Sequence, residues 1–278
     1  METLQFKYVD ESRRYAAYQD GREIGRILLS LNGEKTMVFR HVQVEEQFRG
    51  QGIAGQMLAF AMEDVKQKGL KVVPVCPYAR KAFDNNEEYR AFEAPAKRFG
   101  IFVGSFRVGS YSRRLADLLE DMTPEGYVAE IIRIKDLPFY DQAWDTDGPV
   151  PDKIIAFRAK VKSLDGVIFV TPEYNRTFTA PIKNAVDIAS RPMGKNNWSR
   201  KPAMVMGITP GALGALAAAL ELKKLLTVVN TVLMGQPEVY IAEAKDLFNE
   251  DGSFINEGTR EFIQSVMNAF IRFYEKHK

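Results

Sequence analysis

The chain has a single cysteine among its 278 residues, Cys76, so it cannot contain an intramolecular disulfide. Its longest apolar region, 211–235, is interrupted by Glu221, Lys223 and Lys224, which argues against a membrane span. The N-terminal segment lacks the apolar run behind a basic start that marks an export signal. We therefore expect a cytoplasmic protein with no membrane partner.

An excess of charge of one sign is also missing. The 38 basic residues are interleaved with 36 acidic residues, and a formal net charge of +2 is too small to indicate a nucleic-acid partner. The sequence contains no internal repeat and no low-complexity segment, and its 46% of hydrophobic residues are typical of a globular chain. We expect small-molecule substrates, no nucleic acid and no bound metal.

The length fits two domains of ordinary size. In the first third, alternating apolar runs are separated by the turn pairs Asp20–Gly21 and Asn32–Gly33, which favour β-hairpins. Apolar residues at helical spacing follow from Ile53 onward, and a short strand comes after this helix. The pattern predicts a small α+β domain over residues 1–95, with a meander of antiparallel strands.

A loop with two glycines, "QFRGQG", leads into the predicted helix. Gly50 and Gly52 allow close approach to a ligand, and the free N–H groups of a helix N-terminus favour an anion such as a pyrophosphate, although paired glycines are as often only a turn. With "CPYARKAF" after the next strand, the loop resembles the acyl-CoA loop of the GNAT acetyltransferase superfamily, over Phe6 to Phe92. The resemblance implies acetyl-CoA binding by the backbone of Gln47, Phe48, Arg49, Gly50, Gln51 and Gly52.

Acetyl transfer needs a deprotonated amine and a proton donor for the departing CoA thiolate. The candidate catalytic residues of this domain are His41, Cys76 and Tyr78. His41 precedes the loop on a strand and suits a base, or it is a strand histidine with a satisfied hydrogen bond. Cys76 is either an acyl acceptor or a small buried hydrophobic residue. A third possibility is that the domain binds CoA, or nothing, and serves as a non-catalytic assembly module.

From Phe99 onward the chain alternates between strands and helices in five βα units. The runs "GVIFVT" and "PAMVMGI" are continuously apolar, which is typical of strands buried on both faces. The pattern predicts a doubly wound, five-stranded parallel sheet over residues 98–278, with ligands at the carboxyl ends of the strands. The expected fold class is therefore α/β, with the smaller α+β domain first.

Three of these strand ends carry polar or glycine-rich loops. The first, "GSFRVGSYS", places hydroxyl groups and one guanidinium before a helix N-terminus, which is the donor set that a phosphate dianion needs. These donors are Ser105, Arg107, Ser110 and Ser112. The second loop forms a turn whose backbone N–H groups can face the polar edge of a flat ring, at Pro172, Glu173, Tyr174 and Asn175. The third supplies glycines for a second close approach, at Thr209, Pro210, Gly211 and Gly214.

Together these loops resemble those of the NADPH-dependent FMN reductase family of flavodoxin-like proteins, over Phe99 to Ile241. The resemblance implies that the serines and Arg107 hold the FMN phosphate, and that the second and third loops line the isoalloxazine. Two positions depart from the family pattern: Ser112 stands where asparagine is usual, and Arg176 where glycine is usual. Serine keeps a hydrogen-bond donor, whereas Arg176 is expected to add bulk and charge beside the flavin and to restrict or select substrates.

By this resemblance the protein is an FMN-dependent oxidoreductase that takes hydride from NAD(P)H and reduces a quinone, an azo compound, a free flavin or a metal ion. The N-terminal domain adds an acetyl-CoA-dependent activity. Family members of this kind assemble as homodimers or homotetramers. The alternative is a flavin-binding redox sensor or interaction protein, in which hydride transfer is incidental and reoxidation is slow.

Overall fold

The computed structural model describes residues 4–146 and 148–278, and the chain divides into two compact units. The first unit runs to Ala96 and includes Pro124–Val128, and the second contains the rest of the chain. Among the described residues, no helix combines the length and the apolar character that a membrane span requires.

The first unit contains a sheet of five strands in the order β1-β2-β3-β4-β5, and three helices. Its strands are β1 (Leu4–Val9), β2 (Arg14–Gln19), β3 (Arg22–Leu31), β4 (Thr36–Val44) and β5 (Lys71–Pro74). Its helices are α1 (Ile53–Gln67), α2 (Pro77–Asp84) and α3 (Glu87–Arg90). Antiparallel pairing joins β1 through β4, which confirms the predicted meander, whereas β5 pairs with β4 in parallel.

Helix α1 covers one face of this sheet because its apolar residues recur at helical spacing. Met57 and Ala61 of α1 are fully buried in one cluster with Tyr15 and Phe39 of the sheet. The Tyr15 hydroxyl donates a hydrogen bond to Asp64 at 2.7 Å, so its polar end is satisfied inside the core. Burial, reinforced by this hydrogen bond, raises the pKa of Tyr15, and the phenol stays neutral.

Strand β4 pairs with β5 over only the first half of its length. Its pairing with β5 ends where Phe39 meets Pro74, although β4 itself continues to Val44. The last hydrogen bonds of this pair run from the Val75 and Cys76 N–H groups to the Phe39 carbonyl, at 3.1 and 3.0 Å. Beyond them the two strands separate, and the second half of β4, which stays paired with β3 on its other edge, borders a cleft.

The second unit contains a parallel sheet in the order β7-β6-β8-β9, and the short segments β10 and β11 share the edge beyond β9. Its strands are β6 (Lys97–Val103), β7 (Tyr127–Ile131, which enters this unit at Ala129), β8 (Gly166–Thr171), β9 (Pro202–Ile208), β10 (Val232–Leu233) and β11 (Val239–Ile241). Its helices are α4 (Tyr111–Asp121), α5 (Asp152–Lys162), α6 (Ala180–Ser190), α7 (Leu216–Val228) and α8 (Glu257–His277). The predicted flavodoxin-like parallel sheet is confirmed, but its fifth position is divided between two segments, of which only β11 was expected.

Helices cover both faces of this sheet. On one face, the rings of Phe102 and Phe169 stack at 5.0 Å, and the indole of Trp198 lies edge-on to Phe102 at 5.1 Å. On the other face, Phe99 meets Phe270 of α8 at 5.1 Å. Successive residues of a strand point to opposite faces, so Phe99 and Phe102 belong to different layers of the core.

Replacement of Trp198 by phenylalanine tests this core. Trp198 is fully buried, and its indole N–H donates to the Val186 carbonyl at 2.9 Å. Trp198→Phe removes this bond and leaves a void, so we expect the free energy of unfolding to fall by about 1–3 kcal/mol in urea titrations. The control is Trp144→Phe at a half-buried position, for which we expect less than about 1 kcal/mol. Equal losses at both positions would contradict this account of the core.

Candidate functional site

The loops that follow β6, β8 and β9 meet at one edge of the second unit's sheet, because adjacent parallel strands end side by side. They enclose a cavity of about 830 Å³. Ten of the twelve residues predicted for FMN line it: Ser105, Arg107, Ser110, Ser112, Pro172, Glu173, Tyr174, Thr209, Pro210 and Gly211. The two predicted residues outside the lining are Asn175 and Gly214.

The first loop ends in a helix N-terminus, since α4 begins at Tyr111. The Ser110 hydroxyl caps this helix by accepting a hydrogen bond from the Arg113 N–H at 3.4 Å. The side chains of Ser105, Ser110 and Ser112 are buried. Buried hydroxyl groups beside the unpaired N–H groups of a helix N-terminus form a cradle for an anion, and the loop contains no carboxylate that would repel one.

Arg107 is the cation of this loop. Its two terminal nitrogens donate to the carbonyl oxygens of Val108 and Gly109, each at 3.2 Å, and the guanidinium lies 5.6 Å from the ring centroid of Tyr111. A guanidinium has five N–H donors, so others remain for a ligand. Three hydroxyl groups, one guanidinium and a helix N-terminus together fit the monophosphate group of FMN.

The second loop is a tight turn. The Tyr174 N–H donates to the Thr177 carbonyl at 3.0 Å, and the Thr177 N–H donates back at 3.1 Å, with left-handed φ angles of 50° at Asn175 and 64° at Arg176. We expected the N–H groups of this turn to face a ligand, but that of Tyr174 is used inside the turn. Asn175 lies at the tip, away from the cavity. The left-handed angle at Arg176 explains why glycine suits this position.

The Glu173 carboxylate connects the second loop to the third. One oxygen accepts from the Ala218 N–H in the first turn of α7 at 3.3 Å, and the other accepts from Arg176 at 3.2 Å. A carboxylate is stabilised there by the helix dipole and the unpaired N–H groups. Only 11% of the Glu173 side chain is exposed, against 73% for Arg176. The charge that Arg176 adds beside the cavity is therefore paired with a largely buried carboxylate.

The two glycines of the third loop differ in their surroundings. Gly211 lines the cavity, and a Cβ built on it comes no nearer than 3.8 Å to its neighbours. Gly214 has a φ of 57°, and a Cβ there would lie 2.5 Å from the backbone of Tyr240 in β11. We keep the prediction that a ligand approaches Gly211 closely. At Gly214, in contrast, the close neighbour is the backbone of β11 and not a ligand.

The lining includes residues that sequence reasoning did not select. These are Tyr111, Ile208, Ala212, Leu213 and Ala215. Each directly adjoins, or lies one residue from, a selected position, and this adjacency was the signal that the sequence offered. Leu213 is 54% exposed and Tyr111 is partly exposed, so both present apolar surface at the cavity.

The first unit has a cavity of its own, of about 520 Å³, beside the half of β4 that has separated from β5. Residues of β3 and β4 line it together with Glu45, Glu46, Arg49, Ala54 and Tyr78, so the lining contains two carboxylates. Arg49 and Tyr78 are thus the two predicted residues that reach this cavity. The other residues predicted for acetyl-CoA or catalysis lie outside its lining: His41, Gln47, Phe48, Gly50, Gln51, Gly52 and Cys76.

Two of these residues have surroundings that bear on their roles. His41 is exposed on β4, and Cys76 is buried, where its sulfur accepts a hydrogen bond from the Val42 N–H at 3.4 Å. The glycines of the loop have left-handed φ angles, 79° at Gly50 and 78° at Gly52, so the shape of the backbone requires them with or without a ligand. Gly52 is also the N-cap residue of α1.

A parallel sheet with three loops that converge at its strand ends defines the second unit as a flavodoxin-like protein. Residues 98–246 match the family model described as NADPH-dependent FMN reductase, which is more than half of the chain. The chain belongs to this family. Its membership confirms the predicted class, an FMN-dependent oxidoreductase that uses NAD(P)H. Residues 14–92 match the model of the GCN5-related N-acetyl-transferases, which confirms the resemblance predicted for the first unit.

Several characterised proteins are similar to the second unit. The quinone reductase of Pseudomonas putida is 37% identical over 170 residues, which cover 61% of this chain and 90% of that protein. The 2-hydroxy-1,4-benzoquinone reductase of a Burkholderia species is 35% identical over 175 residues, covering 63% and 94%. Among solved structures, the flavoenzyme NAD(P)H:(acceptor) oxidoreductase FerB of Paracoccus denitrificans has a TM-score of 0.61 at 37% identity, covering 66% of this chain and 99% of that chain.

Alanine substitutions at the two glycines of the third loop distinguish a role in folding, at Gly214, from a role in ligand binding, at Gly211. Gly214→Ala forces a left-handed φ on alanine and a clash with Tyr240, so we expect a loss of at least about 1–2 kcal/mol in the free energy of unfolding. The methyl group added by Gly211→Ala would point into open space. The free energy of unfolding of this variant should therefore stay within about 0.5 kcal/mol of the parent, while its FMN affinity falls. Urea unfolding and flavin titration measure the two effects. Unchanged FMN affinity in Gly211→Ala would show that the ligand does not approach this residue closely.

Proposed function

We propose that the second unit binds FMN in the cavity at its strand ends and transfers electrons from NAD(P)H to quinones. The observation that carries this proposal is the convergence of three loops on one cavity that has a carboxylate-free anion cradle in its lining. The volume lies in the range of cofactor sites, about 300–1,000 Å³. Quinone is the favoured acceptor because the two relatives named above are quinone reductases.

In this proposal the chain binds and orients its ligands. The hydroxyl groups of Ser105, Ser110 and Ser112 donate hydrogen bonds to the phosphate oxygens, and Arg107 neutralises part of the phosphate charge. Tyr174 and Leu213 are 53% and 54% exposed and offer apolar surface against which planar rings can pack. When bound, FMN supplies the hydride and electron chemistry, so no side chain is assigned as a general acid or base.

Arg107→Ala tests the phosphate cradle. The substitution removes a charge-assisted contact worth about 1.5–3 kcal/mol, so FMN affinity should fall roughly ten- to a hundredfold without loss of folding. Riboflavin lacks the phosphate, so it should bind the parent more weakly than FMN and be nearly indifferent to the substitution. Flavin fluorescence titrations measure all four affinities.

Two outcomes would overturn parts of this proposal. Equal affinities of the parent for FMN and riboflavin, or equal losses of both in Arg107→Ala, would remove Arg107 from the phosphate site. A protein that is reduced once by NAD(P)H and reoxidises slowly, without steady-state turnover on quinones, would instead be a redox sensor or interaction protein.

We further propose that the first unit binds acetyl-CoA, with the pyrophosphate at the Gln47–Gly52 loop and the acetyl end in the cavity beside β4. The match to GCN5-related acetyltransferases supports this, as does the α1 N-terminus behind the loop. Arg49 lines the cavity and is held by its Nε, which donates to the Val44 carbonyl at 3.2 Å. Tyr78 lines it too and is 45% exposed, so it is the favoured proton donor to the departing thiolate.

Calorimetry with acetyl-CoA on the intact protein tests this second site. We expect binding, and a roughly tenfold weaker affinity in Arg49→Ala because a contact between a guanidinium and the pyrophosphate is lost, about 1.4 kcal/mol. FMN affinity should be unchanged in this variant, which controls for folding. Bulky residues at Gly50 or Gly52 are a poor test, since their left-handed φ angles strain any other residue.

A parent protein without affinity for acetyl-CoA would instead support a non-catalytic assembly module. If binding is found, Tyr78→Phe, Cys76→Ala and His41→Ala must each be assayed for acetyl transfer. Only loss of turnover with retained binding assigns a chemical role to one of these residues.

The organisation of the chain completes the proposal. Residues 1–95 and 98–278 act as separate functional domains, in agreement with the ends of the two family matches at residues 92 and 98. The protein functions in the cytoplasm as a homodimer or homotetramer of this chain, and light scattering on the purified protein measures the assembly.

A further inference from the structure

A short hairpin after β11 lies outside the segment that matches the FMN reductase family, which ends at residue 246. Phe248 and Phe254 form an antiparallel bridge, and their rings stack at 5.4 Å with an interplanar angle of 26°. The turn between them is closed by the Asn249 N–H, which donates to the Ser253 carbonyl at 2.8 Å. The hairpin is therefore internally ordered, and Phe248 is buried, with 6% of the residue exposed.

This hairpin packs on the first turn of α4. The ring of Phe248 stacks on that of Tyr111 at 6.2 Å between centroids, with an interplanar angle of 18°. On the same helix, Arg114 donates to the Asn249 carbonyl at 3.4 Å. Tyr111 is thus held from outside the cradle by a segment that makes none of the cradle's own hydrogen bonds.

Tyr111 in turn supports the cation of the phosphate cradle. The guanidinium of Arg107 lies 5.6 Å from the Tyr111 ring centroid, within the range of a cation–π contact. An exposed arginine is flexible, and it loses rotamer entropy when it binds a phosphate. A ring fixed beneath the guanidinium reduces this loss, because it holds Arg107 in place before the ligand arrives.

We propose that Phe248 is a positioning residue for the FMN phosphate, acting through the stack of Phe248 on Tyr111 and of Tyr111 on Arg107. This inference rests on the proposed FMN site. It assigns to the hairpin 247–255 a part in cofactor binding, although the hairpin supplies no group to the cavity lining.

The test compares FMN with riboflavin in titrations that follow flavin fluorescence. Phe248→Leu removes the ring contacts of Phe248 with Tyr111 and with Phe254, and it should weaken FMN binding roughly two- to tenfold, while riboflavin affinity stays the same. Phe248→Tyr keeps the ring and should retain the parent's FMN affinity. Phe262→Leu is the control for the same substitution away from the stack, because Phe262 is 45% exposed on α8 and, in the part of the chain that the structure describes, makes no ring contact with Tyr111 or Phe248. Tyr111→Leu should reproduce the selective loss, and it tests the same stack if Phe248→Leu fails to fold.

A double-mutant cycle is a second test of the contacts among Phe248, Tyr111 and Arg107. In an Arg107→Ala background, Phe248→Leu should have no further effect on FMN affinity, since the group that it positions is gone. Equal losses of FMN and riboflavin in Phe248→Leu and Tyr111→Leu, or an undiminished effect in the Arg107→Ala background, would overturn the inference. If the parent itself does not prefer FMN to riboflavin, the phosphate cradle of the proposed function fails instead.

Discussion

The parallel pairing of β6, β8 and β9 is the constraint on which the proposed FMN site depends. Val103 at the end of β6 pairs with Val170 of β8, and Val170 pairs with Met206 of β9, so the three strands end at nearly the same level. Their loops therefore start side by side. Specific packing on the two faces holds this register, because a shift by one residue would turn every side chain to the opposite face and separate Phe99 from Phe270 and Phe102 from Trp198.

Loops that start side by side still need contacts that fix their shapes. The Thr179 hydroxyl, which is buried, donates to the Gly104 carbonyl at 2.7 Å and joins the first loop to the second. Glu173 joins the second loop to the third through the first turn of α7. The Thr209 N–H donates to the Ile241 carbonyl at 3.1 Å and anchors the third loop to β11. These bonds order the backbone in advance, so that a ligand does not have to do so.

Much of this arrangement was predictable from the sequence, because strands buried on both faces read as continuous apolar runs and helices show their spacing. The two-residue segment β10 was missed, since two residues carry no periodicity. The contact of Gly214 with the backbone of Tyr240 was also beyond reach, because it joins residues far apart in the chain. For the same reason, the hydrogen bond that joins the Glu173 carboxylate to the Ala218 N–H of α7 was not predicted.

Of the residues predicted for the site of the first unit, only Arg49 and Tyr78 line its cavity. The prediction placed the site at the glycine loop, whereas the cavity lies along β4, where β4 no longer pairs with β5. This pairing ends after the Val75 and Cys76 N–H groups donate to the Phe39 carbonyl, and β4 stays paired with β3 from His41 to Val44. The point at which two strands stop pairing depends on contacts between segments far apart in the chain, so no local sequence pattern shows it. Both units thus form a cavity in front of a helix N-terminus. In the second unit it lies where parallel strands end, and in the first unit it lies where β4 stops pairing with β5.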